Sequence, residues 1–338
     1  MEFKEIHKFK VGKEVFEPFK KVLIIAEIGS NHDGNLKKAY KLIDVAKNAG
    51  CDAVKFQLFT ADKLIQRKFK GWKILKKLEI EFEFIKKVKK YAKKKKILFG
   101  VSPFDNTSTI FLTKIGIDFF KIASTEIEDL ELLKIISKTK KPLIISSGAA
   151  NLTEISNAIN YSRKRLKNLA LLHCVSIYPP KISQLNLNMM SSLRNAFHIP
   201  VGFSDHSTSY NIPAIAATLG ACVIEKHITL NNKSKGPDHP FAMNPSQLKL
   251  MVKNIREVEI SLGSKVKQPI IKNEKVGVAR RIVASKNLKI NQKLTIKDLI
   301  IKRADPKGVE PKDLEKIINL RLRKKINKDQ IIKWQDFK

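Results

Sequence analysis

Between about residues 21 and 262, eight short apolar runs rich in β-branched residues alternate with longer amphipathic stretches. No other feature of the chain constrains its fold so tightly. The runs read VLIIAEI (22–28), DAVKFQ (52–57), ILFGVS (97–102), FFKIAS (119–124), PLIISS (142–147), LALLHC (169–174), PVGFSD (200–205) and CVIEKHIT (222–229). The segments between them repeat apolar residues at helical spacing: in LKKAYKLIDVAKNAG, Leu36, Ala39, Leu42, Ile43 and Ala46 share one face. Strands that are apolar on both faces need cover on both, so the pattern predicts a parallel sheet wrapped by helices. Eight strand–helix units in roughly 240 residues match the size of a closed (β/α)8 TIM barrel. An open doubly wound sheet fits eight strands less well.

The flanks break the pattern. Residues 1–20 read as a short hairpin turning near Val11-Gly12-Lys13, ahead of a barrel over 21–262. Residues 263–278 lose all periodicity and read as a linker. Residues 279–338 carry short strands and turns (RRIVASKNL, TIKDLIIKRADPKGVEP, LRLRKKINKDQII). Sixty residues make a marginal core, so this block is expected to dock on something else.

Composition narrows the function. Lys and Arg number 66 against 32 Asp and Glu, a formal charge of +34. Such a charge invites a nucleic-acid partner. Yet only ten of these cations are arginines, the residue that reads phosphates and bases through a fixed fork of donors. The lysines are spread along solvent faces, as in EFIKKVKKYAKKKK, and no zinc-finger or RNA-binding motif accompanies them. A basic nucleic-acid-associated protein is therefore a remote alternative; the field suits steering of small anionic substrates. No apolar run approaches the roughly 20 residues that span a bilayer. The N-terminus MEFKEIHKFK has no signal-peptide core, and Cys51, Cys174 and Cys222 are too scattered for a disulfide framework. All three cysteines read as small core residues. The expectation is a soluble cytoplasmic protein with no membrane partner.

In a (β/α)8 barrel the reactive groups sit at the C-terminal ends of the strands. The polar residues here gather at those positions. Strand by strand they are Glu27 with the loop Ser30–Gly34, Lys55 and Gln57, Ser102, Lys121 with Ser124 and Glu126, Ser146 and Ser147, Ser176 and Tyr178, Ser204 with Asp205 and His206, and Glu225 with His227. Histidines at the ends of adjacent strands, beside Asp205 and Glu225, suit a divalent metal that keeps open positions for water and substrate. A strand histidine is otherwise most often a satisfied core residue. Lysines inside a barrel are unfavourable unless paired with anions, so Lys55 and Lys121 with the serines suggest a phosphate or carboxylate cradle. Glu126 and Glu225 are candidates for acid–base work. The competing reading, that they ion-pair the lysines, is nearly as good.

The motifs AEIGSNHDG, DAVKFQ, FKIASTE, ISSGAA, LLHCVSIYP, VGFSDHS, IEKHITL and GPDH, in this order, resemble the sialic acid (N-acetylneuraminate) synthase family. The last sixty residues resemble the antifreeze-like SAF domain that closes those enzymes. The resemblance implies condensation of phosphoenolpyruvate with the open-chain aldehyde of N-acetylmannosamine, giving N-acetylneuraminate and phosphate. Sister specificities are legionaminate, pseudaminate or a phosphorylated hexosamine. Residue by residue it implies that His206 and His227 hold Mn²⁺ or Mg²⁺, and that Lys55, Ser102, Lys121, Ser124, Ser146 and Ser204 bind phosphoenolpyruvate. Glu27, Gln57, Tyr178 and Asp238 would contact the sugar, and Glu126 and Glu225 would handle protons. It further implies a homodimer with swapped SAF domains, whose Arg303 reaches the partner's sugar. The sequence departs from the family at Ala123 and Thr125 in FKIASTE, at Ser176, and in the loop KRADPKGVEP.

Overall fold

The computed structural model describes residues 8–267, 278–305 and 307–338. A hairpin of β1 (Phe9–Val11) and β2 (Glu14–Phe16) precedes β3 (Leu23–Gly29), β4 (Ala53–Leu58), β5 (Leu98–Pro103) and β6 (Phe119–Ile122). There follow β7 (Leu143–Ser146), β8 (Leu169–Cys174), β9 (Val201–Asp205) and β10 (Val223–His227). Strands β3 to β10 pair in parallel, each with its neighbours in the chain, and β10 returns to pair with β3. The eight apolar runs are thus the eight staves of a closed barrel with intervening helices, the fold class expected.

The period of two along each strand explains why the runs are almost wholly apolar. One parity faces outward: Ile24, Ala26 and Ile28 on β3, Val54, Phe56 and Leu58 on β4, and Val201 and Phe203 on β9 pack under the helices. The helix Leu36–Ala49 answers with Ala39, Leu42, Ile43 and Ala46, all buried. Asn35 caps its start by accepting from the Lys38 N–H, and Gly50 ends it at φ 90°, a left-handed position suited to glycine. The other parity faces inward. Leu23, Ile25, Ala53, Phe119, Ile144, Ala170, Leu172 and Val223 form a second apolar cluster with Phe9, Val11 and Phe16 of the hairpin. The hairpin therefore plugs the N-terminal end of the barrel. Asn168 fastens it, donating to the Lys10 carbonyl (2.6 Å) and accepting from its N–H (3.1 Å).

The chain divides into two compact units, Met1–Gly263 and Ser264–Lys338. The second holds an antiparallel pair, β11 (Arg280–Ala284) and β12 (Leu299–Arg303), over a core that includes Ile282, Leu294, Val309, Leu322 and Ile332. Of the expected linker, residues 268–277 lie outside the described residues, as do residues 1–7 of the expected hairpin and Pro306 in the loop after Arg303. Among the described residues no helix is long and apolar enough to cross a membrane.

Candidate active site

One step further along the inward parity, the barrel lining turns polar. Glu27 follows Ile25, Lys55 follows Ala53, Lys121 follows Phe119, Ser146 follows Ile144, and Glu225 follows Val223. Ser102 and Ser204 likewise follow Gly100 and Gly202. All of these side chains are buried.

Four charges form the centre of this layer. Lys55 Nζ lies 2.7 Å from Glu27 Oε2 and 3.7 Å from Glu225 Oε2, and it donates to Ser102 Oγ at 3.0 Å. Lys121 Nζ lies 3.2 Å from Glu225 Oε1, which also accepts from Ser204 Oγ at 3.1 Å. Gln57 donates to Glu27 Oε1 at 3.0 Å. The two glutamates therefore sit in unequal surroundings. Burial pushes the Glu27 carboxyl up to about 7, Lys55 opposes the rise, and the charge of Glu225 adds to it. Burial would raise Glu225 too, but Lys121 and Lys55 together hold it down at about 2. Burial likewise works against the Lys121 ammonium, yet Glu225 carries it above its ordinary value. The ion pair that the sequence offered for Glu225 is present with both lysines.

The histidines stand beside this group. The rings of His206 and His227 lie 5.4 Å apart, and each faces Phe241. Tyr178, more than half exposed, lays its ring 4.2 Å from that of His206. Burial pushes both imidazoles down to about 3, the state in which a ring nitrogen can accept a metal. His206 Nδ1 donates to the Val175 carbonyl at 3.1 Å, which leaves Nε2 with its lone pair free. Among the described residues His227 Nδ1 is buried without a hydrogen-bond partner, 3.5 Å from Asp238 Oδ2. Asp238 is positioned by Ser30 Oγ at 3.2 Å, and burial raises its carboxyl. This donor set fits a divalent cation through two imidazoles with a carboxylate close by. Among the described residues no three His, Cys, Asp or Glu side chains converge into a complete cage.

The serines divide into two kinds. Ser146 Oγ is buried with no partner among the described residues and Ser124 Oγ accepts from the Gly148 N–H at 3.0 Å, whereas Ser147 Oγ is spent on the Leu172 carbonyl. A Cβ at Gly148 would stand 2.3 Å from Ser176 Oγ, 2.7 Å from Ser124 Oγ and 3.1 Å from Cys174 Sγ. Only glycine leaves that cradle open. Glu126 lies half-buried on the single turn Ser124–Glu126 after β6, where it accepts from Thr125 Oγ1 at 2.9 Å, and burial raises its carboxyl. Arg303 belongs to the second unit, exposed at the end of β12 and opposite Arg280.

Two expectations change. Asp205, placed by the sequence beside the histidines, has the opposite parity and points away from them into the layer under the helices, where it pairs with Lys226. Cys174 is buried as expected, but at the mouth, with Sγ 3.8 Å from His206 Nδ1. Lys226, His239 and Phe241 were missed. Counting by twos from His227 would have turned Lys226 outward and flagged it as a buried charge needing a partner. His239 bridges Thr229 Oγ1 (2.7 Å) and Asp33 Oδ1 (3.1 Å), and so ties down the segment carrying Asp238.

Comparison with known proteins places this geometry in a family. The NeuB family model matches residues 42–267 and the SAF domain model matches 279–338. The chain is 37% identical to the N,N'-diacetyllegionaminic acid synthase of Campylobacter jejuni, over 93% of this chain and 99% of that one. It is 31% identical to the human N-acetylneuraminate-9-phosphate synthase, over 91% and 90% of the two chains. The crystal structure of N-acetylneuraminic acid synthetase from Leptospira borgpetersenii, in complex with citrate, superposes with a TM-score of 0.76 at 31% identity. That match covers 80% of this chain and 95% of the other. With a model spanning most of the barrel, relatives matched nearly end to end and a shared fold, the chain belongs to the NeuB family and is an enzyme of this sialic acid synthase group.

Proposed function

We propose that the enzyme joins phosphoenolpyruvate to the open-chain aldehyde of an N-acetylated hexosamine and releases phosphate. The methylene carbon of phosphoenolpyruvate attacks the aldehyde carbon and forms the new C–C bond. The aldehyde oxygen takes up a proton and becomes a hydroxyl. Water adds to the electron-poor C2 and gives up one proton; the resulting C2 hydroxyl passes its other proton to the departing phosphate as the C2–O bond to phosphate breaks and the C2 carbonyl forms. One observation carries the reading: two buried lysines share two buried carboxylates at the barrel mouth, beside neutral histidines and an unpartnered serine hydroxyl.

In this reading Lys55 and Lys121 bind the carboxylate and phosphate of phosphoenolpyruvate, with donors from Ser102, Ser124, Ser146 and Ser204. Glu225 stays ionised and holds the two ammonium groups in place. Glu27, kept protonated to about pH 7 and oriented by Gln57, can deliver a proton at the sugar oxygen. Glu126, on the turn that also carries Ser124, would serve a second proton transfer. Tyr178 and Asp238 line the sugar side, and Arg303 of a partner subunit completes it. His206 and His227 would hold Mn²⁺ or Mg²⁺, which supplies Lewis-acid polarisation of the sugar carbonyl when bound.

For the sugar itself, N-acetylmannosamine yielding N-acetylneuraminate is one reading. A 2,4-diacetamido hexose yielding a legionaminate is the second, favoured by the similarity to the legionaminic acid synthases of Campylobacter jejuni and Legionella pneumophila. Phosphate release from phosphoenolpyruvate, measured with Mn²⁺ against free and 6-phosphorylated N-acetylhexosamines and diacetamido sugars, tests both. Release with one sugar names the substrate. No release with any of them overturns the proposal.

A further inference from the structure

Asp205 and Lys226, at the ends of their two strands, turn away from the mouth, and each is flanked by residues that face it. On β9, Asp205 stands between Ser204 and His206; on β10, Lys226 stands between Glu225 and His227. The sheet register sets the two directly opposite each other. Lys226 Nζ lies 2.6 Å from Asp205 Oδ2, and both side chains are fully buried. The remaining ammonium donors go to the Ser207 carbonyl and, at 3.4 Å, the Ser209 carbonyl. Asp205 returns the contact, accepting from the Ser207 N–H at 2.8 Å and the Ser207 hydroxyl at 3.2 Å. Ser207 Oγ accepts in turn from the Ser209 N–H at 3.3 Å.

Every donor of the ammonium is thus used, one on Asp205 and two on carbonyls of the turn that follows His206. A buried ion pair is a weak way to gain stability, because desolvation offsets most of its attraction, and well-packed apolar residues of similar size do as well. What apolar residues cannot do is hold two carbonyls and two donors of a turn in fixed positions. We propose that the Asp205–Lys226 pair is a positioning device that fixes the spacing and aim of the His206 and His227 rings through the turn 206–209. This rests on the reading of the two histidines as metal ligands.

The test separates positioning from stability. The double variant Asp205→Leu/Lys226→Met removes both charges and keeps the bulk, so it leaves no lone buried charge and should fold, with a melting temperature lowered by the turn groups left unpaired. Its Mn²⁺ affinity, read from the electron paramagnetic resonance signal of free Mn²⁺, should fall about 10–100-fold, the range seen when groups that orient metal ligands are lost. Phosphoenolpyruvate affinity should fall far less than Mn²⁺ affinity, because Lys55 and Lys121 lie on other strands and Ser204 and Glu225 precede the loosened turn. Ser207→Ala leaves the ion pair intact and serves if the double variant does not fold; it should weaken Mn²⁺ in the same direction by less. Wild-type Mn²⁺ affinity in either folded variant overturns the positioning role. So does an equal loss of Mn²⁺ and phosphoenolpyruvate, which would mean general loosening. His227→Ala is measured alongside: if it binds Mn²⁺ as wild type does, the metal reading falls and takes this inference with it.

Discussion

The two ends of the barrel interior use the same eight strands and the same parity, yet obey different physics. The floor is apolar: Phe119, Leu23, Leu172 and the hairpin's Phe9 and Phe16 fill it to the point that Gly100 has no room for a side chain. Higher along the same inward parity the strands present Lys121, Glu27, Lys55 and Glu225, all buried and all charged or chargeable. The floor gains from area and shape, and its residues can be exchanged for others of like volume. The mouth holds groups that are tolerable only while their partners remain. The lesson is that rigidity is placed at one end so that electrostatic strain can be held at the other.

The comparison breaks most sharply at Glu225. Glu225→Gln leaves Lys121 without its carboxylate and Lys55 with only Glu27. The expected loss is about 3–5 kcal/mol of stability, as for other buried pairs reduced to one partner, together with nearly all activity. Adding Lys121→Met should recover stability but no turnover. A melting temperature unchanged in Glu225→Gln would show that the charges are not the stressed element.

The floor should respond to volume alone. A Cβ at Gly100 would lie 2.2 Å from the Phe119 ring, and the ring is walled in. Gly100→Ala should lose about 1–3 kcal/mol, the usual range for overpacking. Phe119→Leu in the same chain should relieve part of that loss. The Michaelis constants should hold. If they shift while stability does not, the floor is coupled to the chemistry and the division between the two ends is wrong.

Acid and base separate the two glutamates. Glu27 has its folded-state carboxyl raised from 4.5 to about 7 by burial, so the folded protein holds that proton more tightly than the unfolded chain. Its contribution is complete below pH 4.5 and is lost as pH rises through about 7. Glu225 is held near 2 against burial by Lys121 and Lys55, so its contribution is present above pH 4.5 and is lost as pH falls through about 2. Denaturant midpoints followed across pH should therefore fall at both extremes. Glu27→Gln should flatten only the limb between 4.5 and 7. Parallel curves for variant and wild type on that limb would remove Glu27 as the protonated partner.

How much of this could be read from sequence follows from the same parity. The apolar runs announced the strands because both faces of each strand are covered, and eight of them announced closure. The polar strand ends were visible as interruptions of those runs, which is why Lys55, Lys121, Glu225 and the two histidines stood out. What a run of letters does not carry is who stands opposite. Glu27 and Glu225 look alike in sequence and differ only in how many ammonium groups surround them. Asp205 is adjacent to His206 in the chain but not in space, because the side chain one position along a strand faces the other way. Cys174 looked like core because small buried thiols are ordinary, and only the third dimension brings His206 to it.

The smallest effect on the protein's own stability is expected at Arg303. It is exposed at the end of β12, and replacing a surface residue of this kind usually changes stability by less than about 0.5 kcal/mol. Its proposed work is elsewhere, as a guanidinium donating to the acetamido oxygen of a sugar held by a second subunit, a task for which it never loses its charge. An Arg303→Ala chain should therefore melt as wild type does while its Michaelis constant for the sugar rises and that for phosphoenolpyruvate stays put. The decisive measurement mixes two dead or weakened chains. Arg303→Ala keeps an intact barrel, and His206→Ala keeps an intact second unit; if the proposed dimer exists, refolding them together gives mixed dimers in which one intact barrel is offered one arginine. Activity that reappears on mixing places Arg303 in trans. If the mixture stays as inactive as its parts while light scattering shows dimers, or if Arg303→Ala alone binds sugar like wild type, the exposed arginine is only one more cation on a basic surface.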